Sequence, residues 1–217
     1  MMMNTAREEM LGKVRAALRR TVDSGVAAIP ATARIAPRST GDVEAELALF
    51  FAEVEKLGGK IRRLKKKADL KEALREIVEA ESITKATLWQ TAELKKMGVE
   101  KTLRSIGVEI VSPYASSREV DECDLGVTGA DFALPETGTL ALRSTIEQPR
   151  AVSLLPRVHL ALIRSTCLRA DLHQVFEEAG HDGYFVFITG PSRTADIELT
   201  VTIGVHGPKT LCVMLLP

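Results

Sequence analysis

Cysteine is scarce in this chain: Cys123, Cys167 and Cys212 are the only three. They lie more than forty residues apart, so no C-x-x-C pair exists and iron–sulfur or structural zinc sites have no support. An odd count also argues against a disulfide framework and favours a reducing compartment, the cytoplasm. The four histidines, His159, His173, His181 and His206, show no H-x-x-x-H spacing. No cofactor held through a Cys/His cluster is therefore expected. Long apolar runs are absent too. The longest, Leu47–Ala52 and Leu211–Leu216, fall far short of the ~20 residues a membrane-spanning helix needs. The opening MMMNTAREEM has no apolar leader core, so a secretory signal is not expected. Charge of one sign is also missing: 29 Lys and Arg balance 29 Asp and Glu, which leaves no global field for nucleic acid. What is present, 45% apolar and 27% charged residues over 217 positions, is ordinary for a folded chain and excludes whole-chain disorder.

Met10, Leu11, Val14 and Leu18 recur at helical spacing and predict a first helix within residues 1–20. Residues 21–40 contain Pro30 and Pro37 with many small residues and no period, which reads as a linker. Residues 1–40 are thus expected to form an arm and linker, and 41–217 the main domain. Asp42 can cap a second helix whose face carries Val43, Leu47, Phe50, Phe51, Val54 and Leu57, with Gly58-Gly59 as its stop. The run KIRRLKKK that follows reads either as a phosphate or nucleic-acid patch or as a solvated strand and turn. It lacks the aromatic interleaving of single-strand binders. From Asp69 helix and strand alternate: a helix around Leu70–Val78, a strand at Ile83–Trp89, a helix over 91–106 broken at Gly98, and a strand at Val108–Val111. Such alternation predicts an α/β fold with a mainly parallel sheet flanked by helices. Further strands are expected at Leu125–Val127, Ala130–Leu134, Thr139–Leu142, Ala151–Leu154 and His159–Ile163, then a helix over 170–179 stopped by Gly180. Tyr184–Ile188 and Leu211–Leu216 are apolar throughout and suit central strands.

Chemistry-bearing residues gather in three glycine-containing stretches of the second half. The first is Leu134-Pro-Glu-Thr-Gly-Thr139. Gly138 would let backbone amides approach a ligand, Thr137 and Thr139 would add hydroxyls, and Glu136 would act as base, nucleophile or acceptor. The same residues also make a plain hairpin turn. In Gly190-Pro-Ser-Arg-Thr-Ala-Asp-Ile-Glu198, Ser192 or Thr194 can cap a helix starting near Ala195, with amides facing an anion and Arg193 pairing with it. Asp196 and Glu198 would oppose an anion but could hold a hydroxyl, or Arg193 itself. The third stretch, Gly204-Val-His-Gly-Pro208, places His206 in a turn where an imidazole is either structural or a proton carrier. In α/β sheets ligands bind at loops beyond the carboxyl ends of strands, so the three stretches are expected to line one polar cleft. Its candidate catalytic residues are Glu136 and His206. Its candidate binding residues are Thr137, Gly138, Thr139, Ser192, Arg193, Thr194 and Asp196.

ETGT at 136–139, SLLPRVHLALI at 153–163, GPSRTADIE at 190–198, GVHGP at 204–208 and the terminal LCVMLL together resemble the lactate utilization protein C family, the LutC/YkgG type with a LUD domain. The resemblance is best over 120–217 and extends back to about residue 42. It implies a fold like that of glucosamine-phosphate isomerase, ribose-phosphate isomerase and the CoA-transferases (the NagB/RpiA/CoA-transferase-like group). It also implies a part in bacterial oxidation of L-lactate to pyruvate, as a subunit or accessory protein beside iron–sulfur partner proteins. The alternative is a stand-alone enzyme or binder for a phosphorylated or CoA-like metabolite, a small anionic ligand. Fold membership alone does not decide between them.

Overall fold

The computed structural model describes residues 3–19, 38, 41–179, 183–195 and 201–217. The chain divides into two compact units, Met1–Ala36 and Pro37–Pro217. Apart from Arg38, the expected linker at 21–40 lies outside the described residues, as do Gly180 and Asp196. The first unit contains helix α1 (Met3–Arg19), whose Met10 and Val14 are exposed.

The second unit begins at the Asp42 cap. Its carboxylate accepts hydrogen bonds from the amides of Glu44 and Ala45 and opens α2 (Val43–Lys56). Leu47, Phe50 and Val54 are buried at the expected spacing, although Val43 at the first turn stays exposed. Gly58, at φ +86°, turns the chain into β1 (Lys60–Arg63). There follow α3 (Leu70–Ala80), β2 (Lys85–Leu88), α4 (Ala92–Met97), α5 (Val99–Ser105), β3 (Glu109–Val111), α6 (Ser117–Asp121) and β4 (Leu125–Gly129). Gly98, at φ +72°, breaks α4 from α5 where the sequence predicts it. The chain then forms β5 (Phe132–Leu134), β6 (Thr139–Ser144), α7 (Ala151–Leu154), β7 (Val158–Ile163), α8 (Leu172–Ala179) and β8 (Tyr184–Thr189). It closes with the β9 (Arg193–Ala195) and β10 (Val201–Ile203) hairpin and β11 (Thr210–Leu215).

Six strands pair in the order β1-β11-β7-β4-β2-β3, all parallel. The predicted α/β class is therefore correct, and β11 lies in the sheet interior as its apolar sequence requires. β7 and β11 are buried nearly throughout, as strands covered on both faces must be. The main core joins these strands to Leu47, Phe50, Leu74, Leu94, Leu103 and Val152.

Three local expectations fail. Ala151–Leu154 is a short helix rather than a strand. It lies on β4 at Gly126, where a Cβ would overlap the Val152 carbonyl oxygen. Tyr184–Ile188 is a strand, but β8 forms the edge of a separate antiparallel sheet, β5-β6-β8. It is only half-buried, packing through Phe185 against Phe132 and α8. Arg193–Ala195, expected to lead into a helix, is instead a strand paired antiparallel with Val201–Ile203.

One polar cluster sits inside the main sheet. Thr87, Gly126 and His159 are in register across β2, β4 and β7. His159 Nε2 lies 2.8 Å from the Thr128 hydroxyl, while His159 Nδ1 and the Thr87 hydroxyl have no partner among the described residues. Burial pushes the His159 imidazole pKa down to about 3. Among the described residues no helix is long and apolar enough to cross a membrane.

Candidate functional site

The Glu136 turn joins β5 to β6 as one short 3-10 turn, Pro135–Thr137, closed by Gly138 in the left-handed region at φ +60°. Space as well as backbone selects glycine there. A Cβ would lie 2.8 Å from the Val54 amide nitrogen and 3.0 Å from the Glu53 carbonyl carbon. The turn is thus pressed on the second half of α2. Thr137, Thr139 and Thr189 form a hydroxyl chain, with Oγ1–Oγ1 distances of 2.7 and 2.8 Å. Thr189 joins because β6 and β8 pair Thr139 with Thr189.

Glu136 itself is 58% exposed, and its Oε1 lies 3.3 Å from Arg38 Nε. The Arg38 guanidinium also donates to Glu46 Oε1 at 2.8 Å, and the Arg38 amide donates to Asp171 Oδ2 at 3.0 Å. Glu46 is buried, accepts a second bond from the Gly41 amide at 2.9 Å, and keeps its Oε2 without a partner among the described residues. One guanidinium therefore serves a buried carboxylate and an exposed one. It fixes the position of Glu136 from one side and leaves the other side to solvent. A carboxylate held this way can accept a proton or a hydroxyl.

The second stretch is built differently from the expected anion cradle. The Ser192 amide donates to the Pro208 carbonyl at 2.9 Å, and the Ser192 carbonyl accepts from the Gly204 amide at 2.9 Å. Thr194 lies in the β9–β10 ladder opposite Thr202. The Arg193 guanidinium donates to the Leu57 carbonyl at the C-terminal end of α2, a position that favours a cation. Gly190, at φ +81°, packs on Leu57, where a Cβ would lie 3.0 Å from the Leu57 Cβ.

The third stretch precedes β11, so it lies at the amino edge of the parallel sheet, not beyond its carboxyl ends. Gly207 packs on Ser192, 3.1 Å from its would-be Cβ. His206 is exposed and lines a pocket of about 500 Å³ with Asp121, Asp124 and Arg157, which precede or begin the neighbouring strands. Burial raises the Asp124 pKa, but amide bonds from Thr84 and Lys85, the Thr84 hydroxyl and Arg157 outweigh it and hold it at about 2.

The three stretches do touch one another in sequence around the C-terminal half of α2. Thr139 pairs with Thr189, Gly190 and Arg193 meet Leu57, and Ser192 meets Gly204, Gly207 and Pro208. Glu136 and His206 do not share a pocket wall: Glu136 is absent from the lining that contains His206. Asp196 lies outside the described residues. Sequence reasoning missed Arg38, Glu46 and Thr189. Arg38 sits in a segment without periodicity, and its partner Glu136 is almost a hundred residues away. Glu46 reads as an ordinary helix-surface residue. Among the described residues no three His, Cys, Asp or Glu side chains converge as metal ligands.

The chain matches the family model described as the LUD domain over residues 47–216. It is 32% identical over 154 residues to lactate utilization protein C of Halalkalibacterium halodurans, covering 66% of this chain and 67% of that protein. It is 33% identical over 158 residues to lactate utilization protein C of a Geobacillus strain, covering 64% and 65%. An uncharacterized protein of Neisseria meningitidis, NMB1437, is 37% identical over 117 residues, 48% of this chain and 50% of its own. The chain thus matches half to two thirds of the length of these relatives. A crystal structure of a DUF162 family protein from Deinococcus radiodurans superposes with a TM-score of 0.61 at 20% identity, covering 82% of this chain and all of that one, and shares the fold. The chain belongs to the LUD domain family.

Proposed function

We propose that this protein takes part in lactate utilization, as a subunit or accessory protein of a bacterial system that oxidises L-lactate to pyruvate. One observation carries the reading: relatives named lactate utilization protein C match it at about a third identity over some two thirds of both chains. The oxidation removes two electrons and two protons from the substrate. In this reading the Cα hydrogen and its electron pair pass to an acceptor carried by the iron–sulfur partner proteins, and the hydroxyl proton goes to a base on this chain. Glu136 supplies the base that a 2-hydroxy acid asks of a site. The carboxylate accepts the hydroxyl proton, and Arg38, whose guanidinium is taken up by Glu46, Glu136 and the Ala170 carbonyl, holds it in place. The Thr137–Thr139–Thr189 hydroxyls border the same turn and add neutral hydrogen bonds. Ser192 and His206 belong to the surrounding loops, and Arg193 and Thr194 to β9, with Arg193 tying that segment to α2.

The test is Glu136→Gln, which keeps shape and polarity but removes the charge. It is expected to abolish lactate-dependent growth, or activity of the assembled system, while the thermal midpoint stays within a few degrees of wild type. A variant that folds normally and retains full activity would remove Glu136 from the chemistry. Copurification from the native host is the companion measurement, and recovery without iron–sulfur proteins would count against the partner assignment.

A further inference from the structure

The carboxyl edge of the parallel sheet carries a site of a different kind. From β2 the chain steps outward to β3, whereas from β4 it proceeds inward to β7 and then β11. The neighbouring strands β2 and β4 therefore send their connections in opposite directions. That divergence is the topological switch point, where open α/β sheets bind ligands. Directly on its β2 side, at the exit residues Trp89 and Gln90, lies a pocket of about 370 Å³ between β2 and the α4–α5 bend. This volume is in the range of small-molecule sites.

The pocket is positively charged. Lys95, Lys101 and Arg104 line it with a single carboxylate, Glu100. Arg104 Nε and one terminal nitrogen donate to Glu100 Oε1 at 3.1 and 3.0 Å, so that pair cancels. Lys95 and Lys101 have no carboxylate within ion-pair distance among the described residues. Behind them stand the buried Leu88, Leu94 and Trp89, a low-dielectric wall that strengthens the attraction of an anion. Lys67 Nζ donates to the Lys96 carbonyl on α4 at 2.7 Å, beside Lys95 in sequence.

We infer that this pocket binds a small phosphorylated metabolite, its phosphate held between Lys95 and Lys101. Two uncompensated ammonium groups match a dianion, where a monocarboxylate would neutralise only one. Lysine binds phosphate as a point charge. The apolar wall takes the organic part. The site is separate from the Glu136 turn and does not depend on the role proposed for it.

Trp89 is the only tryptophan of the chain and lines the pocket, so its emission is a built-in reporter. The experiment titrates the full-length protein at low ionic strength with inorganic pyrophosphate and, separately, with ADP. A saturable change in Trp89 emission is expected for at least one of them. In the Lys95→Gln/Lys101→Gln double variant the half-saturating concentration should rise roughly fivefold or more, since both direct charge partners are gone. The Lys95→Arg/Lys101→Arg variant should keep binding, which separates lost charge from lost folding. Tighter binding of ADP than of pyrophosphate would place the organic body in the pocket, and equal binding would mean that phosphate alone is read. No saturable response to either probe up to about 10 mM, far weaker than metabolite sites, would overturn the inference. So would a response that is the same in the glutamine variant.

Discussion

Lowering the pH should destabilise this protein well above the range where carboxylates titrate, and His159 is the reason. It lies on the central strand β7, 1% exposed, and burial depresses its pKa from 6.5 to about 3. The folded state therefore holds the neutral imidazole, while the unfolded chain takes up a proton below pH 6.5. The unfolded state binds more protons, so stability rises with pH across this window. The contribution is complete above pH 6.5, is lost as pH falls toward 3, and changes no further below that. Each pH unit costs about 1.4 kcal/mol, so moving from pH 7.5 to 4.5 removes roughly 3 kcal/mol, a large share of a typical domain's stability. Urea denaturation at half-unit steps from pH 8 to 4, with the slope against urea held common, measures it. The comparison is His159→Gln. It should be less stable at pH 8, because the 2.8 Å contact with Thr128 and the packing of the ring are disturbed. Its stability should nevertheless fall with pH more gently, by about one proton's worth of slope between pH 6.5 and 4.5. Carboxylates with depressed pKa values, such as Asp124, act alike in both proteins and cancel in the difference. Identical slopes for wild type and variant would refute the assignment to His159.

Gly138→Ala should lower stability by about 2 kcal/mol or more, because a left-handed backbone is combined with a Cβ at 2.8 Å from the Val54 amide. Urea denaturation measures it, and a change under about 0.5 kcal/mol would mean that the turn relaxes away from α2. Cys123, Cys167 and Cys212 are all buried, with burial pushing each thiol up to about 11. At pH 8 only about one thiol in a thousand is then ionised, so a thiol-specific disulfide reagent should react slowly with native protein and count three thiols after denaturation. Rapid reaction of one thiol in the native state would show a local opening.

Much of the fold was legible because its signals are local. Asp42 followed by apolar residues at 47, 50 and 54 defines α2 with its cap, and Gly98 marks the break between α4 and α5. Continuous apolar runs gave β7 and β11 as buried strands. The failures occurred where local signals are degenerate. Ala-Val-Ser-Leu at 151–154 is too short to show any period, and it becomes a helix because Gly126 leaves room for the Val152 carbonyl above β4. Tyr184–Ile188 reads as a central strand because both its faces are apolar. Which edges of a strand are paired depends on the rest of the chain, and here only β6 pairs with it among the described residues. Ser192–Thr194 has the hydroxyls of a helix cap, but antiparallel pairing with Val201–Ile203 takes the backbone into a strand instead. Of the candidate site, the turn and its threonines were visible as a motif, whereas Arg38 was not, because nothing in the spacing connects residue 38 with residue 136.

The same contacts divide the sequence motifs by purpose. The Gly190 and Gly207 positions are crowded by Leu57 and Ser192, and Arg193 is spent on the carbonyl that ends α2. The Ser192 backbone is engaged on both sides by the 204–208 loop. These residues are therefore explained by packing: they anchor two loops to one helix end, whatever chemistry lies nearby. Glu136 is not explained that way. It is more than half exposed, and its one ion pair is exposed enough to contribute little to folding, on the order of 1 kcal/mol or less. A carboxylate that the fold does not need, on a turn that the fold fixes tightly through Gly138, is free to serve the role proposed for it. Arg38→Ala is therefore informative in a way that Arg193→Ala is not. Loss of Arg193 should act through stability, since it unties a loop from α2. Loss of Arg38 should strand the buried Glu46 and also release Glu136, so it should cost both stability and activity. Restoring charge with Arg38→Lys should recover stability more fully than activity, because a single ammonium replaces a guanidinium that spans two carboxylates. Equal recovery of both would mean that Arg38 serves Glu46 alone and that Glu136 positions itself without it.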